Sequence, residues 1–216
     1  MSEEIKNVEK PSLFGMILNP TEQFERIKER PLIWGAMAIV TILTMFGTWL
    51  MSLGIEMPEE VKDMPGLEAV TQIGMVIVGL FTPILTVLIS SFISWIIIKI
   101  ARSEATFTQL FSMNTYIMLI SALSLLFNGL LTPLLGGDGE IMFTSLGSLL
   151  SAEGAIAGLF DSLEVFTIWG VILSAIGLHK VGELSKGLAW TISIGFFIIG
   201  IILSMIGAAI SAPLGV

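Results

Sequence analysis

Residues 166–202 constrain this chain more than any other stretch. They read FTIWGVILSAIGLHKVGELSKGLAWTISIGFFIIGII, two long apolar segments around a polar link at 179–187. Lys180 and Lys186 are the only full positive charges of that link. A backbone that leaves water must satisfy its own hydrogen bonds, so in a bilayer this pattern is a helical hairpin. The link then stays on the side that retains Lys and Arg. Further apolar runs near 20 residues occur upstream, the length needed to cross a hydrocarbon core of ~30 Å. The chain has 216 residues, is 54% hydrophobic and only 13% charged. An ordinary soluble domain carries about 25% charged residues. The expectation is an all-α, polytopic transmembrane bundle.

Five spans are predicted, at about 32–53, 73–98, 110–131, 159–178 and 189–210. Residues 1–30 form a separate N-terminal segment and 31–216 the membrane domain. Five Lys/Arg precede the first span, two (Lys99, Arg102) follow the second and two follow the fourth, whereas Lys62 alone lies on the other side. That asymmetry puts the N-terminus in the cytoplasm and the C-terminus outside. The first 30 residues contain no continuous apolar signal core, so the first run reads as a retained anchor.

Within the N-terminal segment, Leu13, Phe14, Ile17 and Leu18 recur at helical spacing and suit a membrane surface. Asn19-Pro20-Thr21-Glu22 reads as a helix start: Asn19 at the N-cap, Pro20 at the first position and Glu22 bonding back to the cap amide. Glu22 and Arg26 form a favourable i,i+4 pair, and Phe24 and Ile27 share a face. Phe24, Arg26 and Ile27 are therefore a candidate cytoplasmic docking surface, set against an ordinary amphipathic lead-in to the first span.

Small residues four apart allow close helix contacts in lipid. Thr44, Thr48 and Ser52, then Ser90 and Ser94, then Gly200, Ser204 and Ala208 are such rows, and each is a candidate packing or partner interface. Pro83 near the middle of the second span predicts a kink, with Thr82 and Thr86 near the freed carbonyl. Pro83, Asn114, Tyr116 and Asn128 are the candidate hinge and polar path. Asn114 and Asn128 read as interhelical hydrogen-bond glue ahead of substrate ligands. Residues 141–151, with Met142, Phe143, Leu146, Leu149 and Leu150 at helical spacing, predict a short interfacial or re-entrant helix. Asp161 and Glu164 read as a hydrated acid pair at the outer end of the fourth span.

The chain has no cysteine and one histidine, which removes disulfides, thiolate metal sites and Cys nucleophiles. The middles of the predicted spans hold no ionisable residue, and Gly-rich phosphate loops, HExxH and GxSxG are absent. Neither catalysis, cofactor, metal nor nucleic-acid partner is expected.

The order of motifs resembles a known family. NPxExFxxIxxxP is present as Asn19, Pro20, Glu22, Phe24, Ile27 and Pro31. WGxxLxxxGLxKxxxLSxxxA is present as Trp169, Gly170, Leu173, Gly177, Leu178, Lys180, Leu184, Ser185 and Ala189. With five spans, this resembles the Yip-domain integral membrane family in its bacterial form, the YknW type. The DLYGP-like motif of the Rab-interacting eukaryotic members is absent. The resemblance implies a multi-pass protein of the bacterial cell membrane, without catalysis of its own, assisting assembly or activity of an ABC-type exporter. Its partners would be the lipid bilayer and ABC transporter subunits, or further copies of itself. A small permease or channel and a membrane-organising homo-oligomer are the alternatives.

Overall fold

The computed structural model describes residues 9–55, 64, 66–136 and 142–211. Two short helices, α1 (Leu13–Leu18) and α2 (Pro20–Glu29), lead into α3 (Trp34–Ser52), α4 (Leu67–Ile100) and α5 (Phe107–Leu135). A 3-10 turn (Leu146–Ser148), α6 (Ala155–Ser162), α7 (Val165–Lys180) and α8 (Lys186–Ser211) follow. Four of these helices, α3, α4, α5 and α8, are long and apolar enough to cross a membrane. The 16 residues of α7 rise about 24 Å, short of the ~30 Å hydrocarbon thickness.

The fourth predicted span is therefore not one continuous helix: residues 159–178 divide between α6 and α7. Leu163 and Glu164 leave helical geometry, and Glu164 forms an isolated antiparallel bridge with Ser145. Leu146 N–H donates to Leu163 O and Val165 N–H to Thr144 O, so the backbone groups freed by the break are paired across it. The helix predicted over 141–151 does not form either, Ile141 lying outside the described residues. Ser145 Oγ donates to Met142 O and Ser148 Oγ to Phe143 O and Ser145 O, local bonds that compete with a helix ladder.

The N-terminal signals hold in part. Pro20 occupies the first position of α2, but Asn19 makes no side-chain cap. Its backbone N–H already donates to Gly15 O and closes α1, so Glu22 instead accepts from the Asn19 side-chain amide at 2.6 Å.

The helices pack as two groups. In the first, α3 lies between α4 and α5. A Cβ at Gly129 would come within 2.9 Å of Gly47 O, and one at Gly47 within 2.8 Å of the Leu125 backbone. These two glycines let α3 and α5 approach backbone to backbone. In the second group α8 packs on α6 and α7, and a Cβ at Gly158 would meet the Ser204 carbonyl at 2.5 Å. The groups are joined by α5 against α7 and by α2, which lies on α7 and α5. Met16, Phe24 and Ile27 are fully buried in that joint with Leu110, Met113, Leu173 and Leu178. Phe14 and Leu18 of α1 remain 70% exposed, an apolar face beside the spans.

Candidate functional site

α4 packs on α3 and α5, α8 packs on α6 and α7, and no substantial α4–α8 packing closes the remaining side. The space between them is a cleft of about 610 Å³, lined by α4, α5, α7 and α8 with Ser162 at the end of α6. Its walls carry Thr86, Ser90 and Ser94 from α4, Asn114 and Ser121 from α5, Ser174 from α7 and Ser193 from α8. Val87, Met113, Phe166, Phe196 and Phe197 supply apolar wall, and no lining residue is charged. Ser193 is 3% exposed, and its Oγ is buried without a hydrogen-bond partner. Asn114 spends its amide N–H groups on Ser91 Oγ (3.2 Å) and Leu110 O (3.0 Å), which leaves its side-chain carbonyl to face the cleft unpaired among the described residues.

A second polar cluster lies towards the other ends of α5 and α7. Glu164 is 4% exposed at the N-cap of α7 and accepts four hydrogen bonds. Oε1 accepts from Thr144 Oγ1 (2.7 Å) and Ser124 Oγ (3.1 Å), and Oε2 from Thr167 N (2.6 Å) and Thr167 Oγ1 (2.8 Å). Asn128 joins it, donating to Thr144 Oγ1 and Ser124 O and accepting from Thr144 N. Each carboxyl oxygen has two donors, and the group caps the N-terminus of α7. Glu164 is thus buried rather than a hydrated partner of Asp161, which is exposed on α6.

At the Lys/Arg-rich end, α5 side chains hold the N-terminal segment. Tyr116 OH donates to Pro11 O, Ser112 Oγ to Leu32 O and Gln109 Nε2 to Lys28 O. Lys180 pairs with Glu25 at 2.6 Å and Lys28 with Glu183 at 2.8 Å. Glu183 also accepts from Ser103 Oγ and Glu104 N, so one carboxylate joins α2 to both links between spans. Lys28 holds the Glu183 carboxyl below the usual glutamate range, aided by those neighbouring donors.

The residues singled out from the sequence fall into separate places. Thr44, Thr48 and Ser52 are buried inside the chain: Thr44 Oγ1 donates to Val40 O, Thr48 Oγ1 reaches Met75 O of α4, and Ser52 Oγ bonds Trp49 O. Ser90, Ser94 and Gly200 line the cleft, whereas Ser204 Oγ donates to Gly158 O of α6 and Ala208 is half-buried. The proposed docking face is already spent, because Phe24 and Ile27 point into the bundle. Arg26 pairs with Glu22 and Glu9 instead. Pro83 is buried in α4, which continues helically through it. Asn114, Tyr116 and Asn128 do not share a cavity.

With this geometry, comparison with known proteins gives one consistent answer. The Yip1 domain matches residues 14–207. The chain belongs to the Yip1-domain family. It is 35% identical to membrane protein YknW of Bacillus subtilis (strain 168), an alignment covering 96% of this chain and 94% of that relative. No solved structure matches it. Membership spans every element from α1 to α8, so both polar clusters and the N-terminal joint belong to the family domain.

Proposed function

We propose that this Yip1-domain protein is a non-catalytic membrane scaffold or accessory subunit, and that it assists assembly or activity of an ABC-type exporter. The observation that carries the scaffold reading is that the residues singled out from the sequence for a polar path lie in three separate places rather than in one. Tyr116 anchors the N-terminal segment, Asn128 belongs to the closed Glu164 cluster, and only Asn114 faces the cleft. The link to an exporter rests on the resemblance to YknW-type proteins. In this reading the N-terminal segment is cytoplasmic, the C-terminus outside and the protein multi-pass in the bacterial cell membrane, α6 and α7 together making the fourth crossing. The nine-to-one distribution of Lys and Arg supports that orientation.

Purification from native membranes in a mild detergent, with mass spectrometry of what accompanies the protein, tests the reading. ABC transporter subunits in stoichiometric amount are the expected result. A clean protein, alone or as a homo-oligomer, would overturn the exporter link, and solute flux in liposomes would then favour a permease.

A further inference from the structure

The six residues of α1 read Leu-Phe-Gly-Met-Ile-Leu and carry no polar side chain. Their two faces meet different surroundings. Met16 is fully buried, and Leu13 packs against both hydrophobic clusters of the bundle. Phe14, Ile17 and Leu18, at spacings of three and four, turn outward and are 70%, 38% and 70% exposed. The neighbouring α2 behaves differently: it buries Phe24 and Ile27 and turns Thr21, Glu25 and Glu29 outward. A helix with a polar outer face suits water, whereas one that is apolar all round belongs in a core or in a membrane.

Depth places α1 in the second setting. Side chains of α5 grip the N-terminal segment at three levels: Gln109 Nε2 donates to Lys28 O, Ser112 Oγ to Leu32 O and Tyr116 OH to Pro11 O. These donors lie two, five and nine residues into α5, about 3, 8 and 13 Å from its Lys/Arg-rich end. The deepest donor, Tyr116, therefore holds the residue pair just ahead of α1. Its side chain leans back towards the helix N-terminus, which sets buried Pro11 between that level and the end of α5. Leu13 gives an independent marker. One of the clusters it packs on consists of Met37 and Val40 of α3, Val87 of α4 and Met118, Leu119 and Ala122 of α5. The shallowest of these, Met37, is already three residues, about 4–5 Å, inside Trp34.

Tryptophans locate the interface on the same scale. Trp34, Trp95 and Trp190 stand within about 8 Å of the Lys/Arg-rich ends of α3, α4 and α8, where indole rings mark the boundary of a bilayer. α1 lies at their level rather than beyond them in water. Charge does not select its surroundings, because Glu9, Glu22, Glu25 and Glu29 balance Lys10, Arg26, Lys28 and Arg30 over residues 9–30. What covers an uncharged apolar face at this level is the medium that covers Ile39, Ile42 and Phe46 on the outside of α3.

We propose that α1 is embedded in the bilayer leaflet at the Lys/Arg-rich end, with Phe14, Ile17 and Leu18 among the acyl chains of its phospholipids. The contact is with hydrocarbon and is indifferent to headgroup charge. α1 is then an in-plane anchor, and α2 lies at its rim with its polar side in water. The N-terminal segment thereby takes up area in one leaflet only. This holds for either orientation of the chain and without any exporter, because the face is complete within one chain.

The chain has no cysteine, so Phe14→Cys, Leu18→Cys and Thr21→Cys each give a single thiol at an exposed position. In nanodiscs of phosphatidylglycerol both sides of the membrane are open to a water-soluble maleimide. Modification at positions 14 and 18 should be at least tenfold slower than at 21. Equal rates would put the face in water and overturn the proposal. The same ratio is expected in phosphatidylcholine, and its collapse there would make the contact electrostatic and overturn it as well. A covering protein would also slow the reaction, so Leu18→p-benzoylphenylalanine in the whole protein, irradiated in native membranes, separates the two. Mass spectrometry should find phospholipid adducts on α1. Cross-links to a second copy or to another protein in place of lipid would overturn the proposal, whereas loss of the exporter subunits alone would leave it standing.

Discussion

Two polar clusters occupy the same bundle and use the same kinds of side chain, yet one is closed and the other is not. Around Glu164, donors from α5, α7 and the 142–151 segment all converge on a single carboxylate, and each has an acceptor. In the α4–α8 cleft, hydroxyls from four helices converge on empty space. The difference is what they surround. A charged acceptor at a helix N-terminus draws neutral donors inward and fixes a break in the chain. Neutral hydroxyls on helices held apart find no such acceptor. Buried polar groups in the first cluster hold structure; in the second, Ser193 Oγ holds none among the described residues.

The largest effect that could break this contrast is at Glu164. Glu164→Ala removes the acceptor of four hydrogen bonds and the cap of α7. It should cost roughly 3–5 kcal/mol, since unsatisfied buried donors and a lost cap add. Glu164→Gln keeps one carbonyl oxygen and should lose roughly half as much. Thermal unfolding of both variants in one detergent checks this. Unchanged stability in Glu164→Ala would mean that the cluster does not hold the α6–α7 break.

Glycines give a second contrast. Gly129→Ala places a methyl 2.8 Å from Leu50 Cβ and 2.9 Å from Gly47 O, and such overpacking costs about 1–3 kcal/mol. Gly170→Ala in the cleft meets nothing within 4 Å and should gain up to about 1 kcal/mol from helix propensity. Opposite signs in the two unfolding midpoints are expected. Equal shifts would mean that α3 and α5 do not meet as closely as described.

A third comparison acts on the hydroxyls themselves. Ser124→Ala strips a donor from Glu164 and a contact from Asn128, and should cost about 1–2 kcal/mol. Ser193→Ala removes an unpaired hydroxyl and should change stability by less than about 0.5 kcal/mol or raise it. Unfolding in delipidated detergent separates the two, and a large loss in Ser193→Ala would mean that its hydroxyl has a protein partner.

The sequence made these clusters visible only in part, for physical reasons. Long apolar runs identify α3, α4, α5 and α8 because crossing hydrocarbon demands length and hydrophobicity together. Ser90, Ser94 and Gly200 are legible as a small-residue pattern, but their meeting in one cleft depends on which helices fail to touch. Glu164 is hidden because a single acid at the edge of an apolar run looks wet. Its burial depends on Ser124 and Thr144, 40 and 20 residues away. The α6–α7 break is hidden for the same reason, because residues 159–178 are apolar enough for one helix. The same-face pairing of Phe24 and Ile27 is legible, but not that the face turns into α5 and α7 rather than towards a partner. Gly47 and Gly129, 82 positions apart in the chain, carry no local signal of their contact.

The smallest expected effect lies at the Lys/Arg-rich end, where Glu183 ties Lys28 of α2 to Ser103 and Glu104. Its carboxyl is held below the usual glutamate range by the Lys28 bond. A depressed folded value means that the group adds stability above its unfolded value, about 4.3, and loses it as pH falls through the folded value. The pair is partly exposed and therefore screened, so the contribution is modest and weakens with salt. Glu183→Gln should unfold at a slightly lower temperature than the unaltered protein at pH 7. The gap should narrow as pH drops below the ordinary glutamate range and as salt rises. A gap that persists in acid would mean that Glu183 acts through shape rather than charge. That reading has its own basis, since Glu183 holds a left-handed backbone at φ +57° that few residues other than glycine adopt. Adding Glu183→Gly separates the two: relief of the backbone would offset its lost charge, while Glu183→Gln has no such compensation.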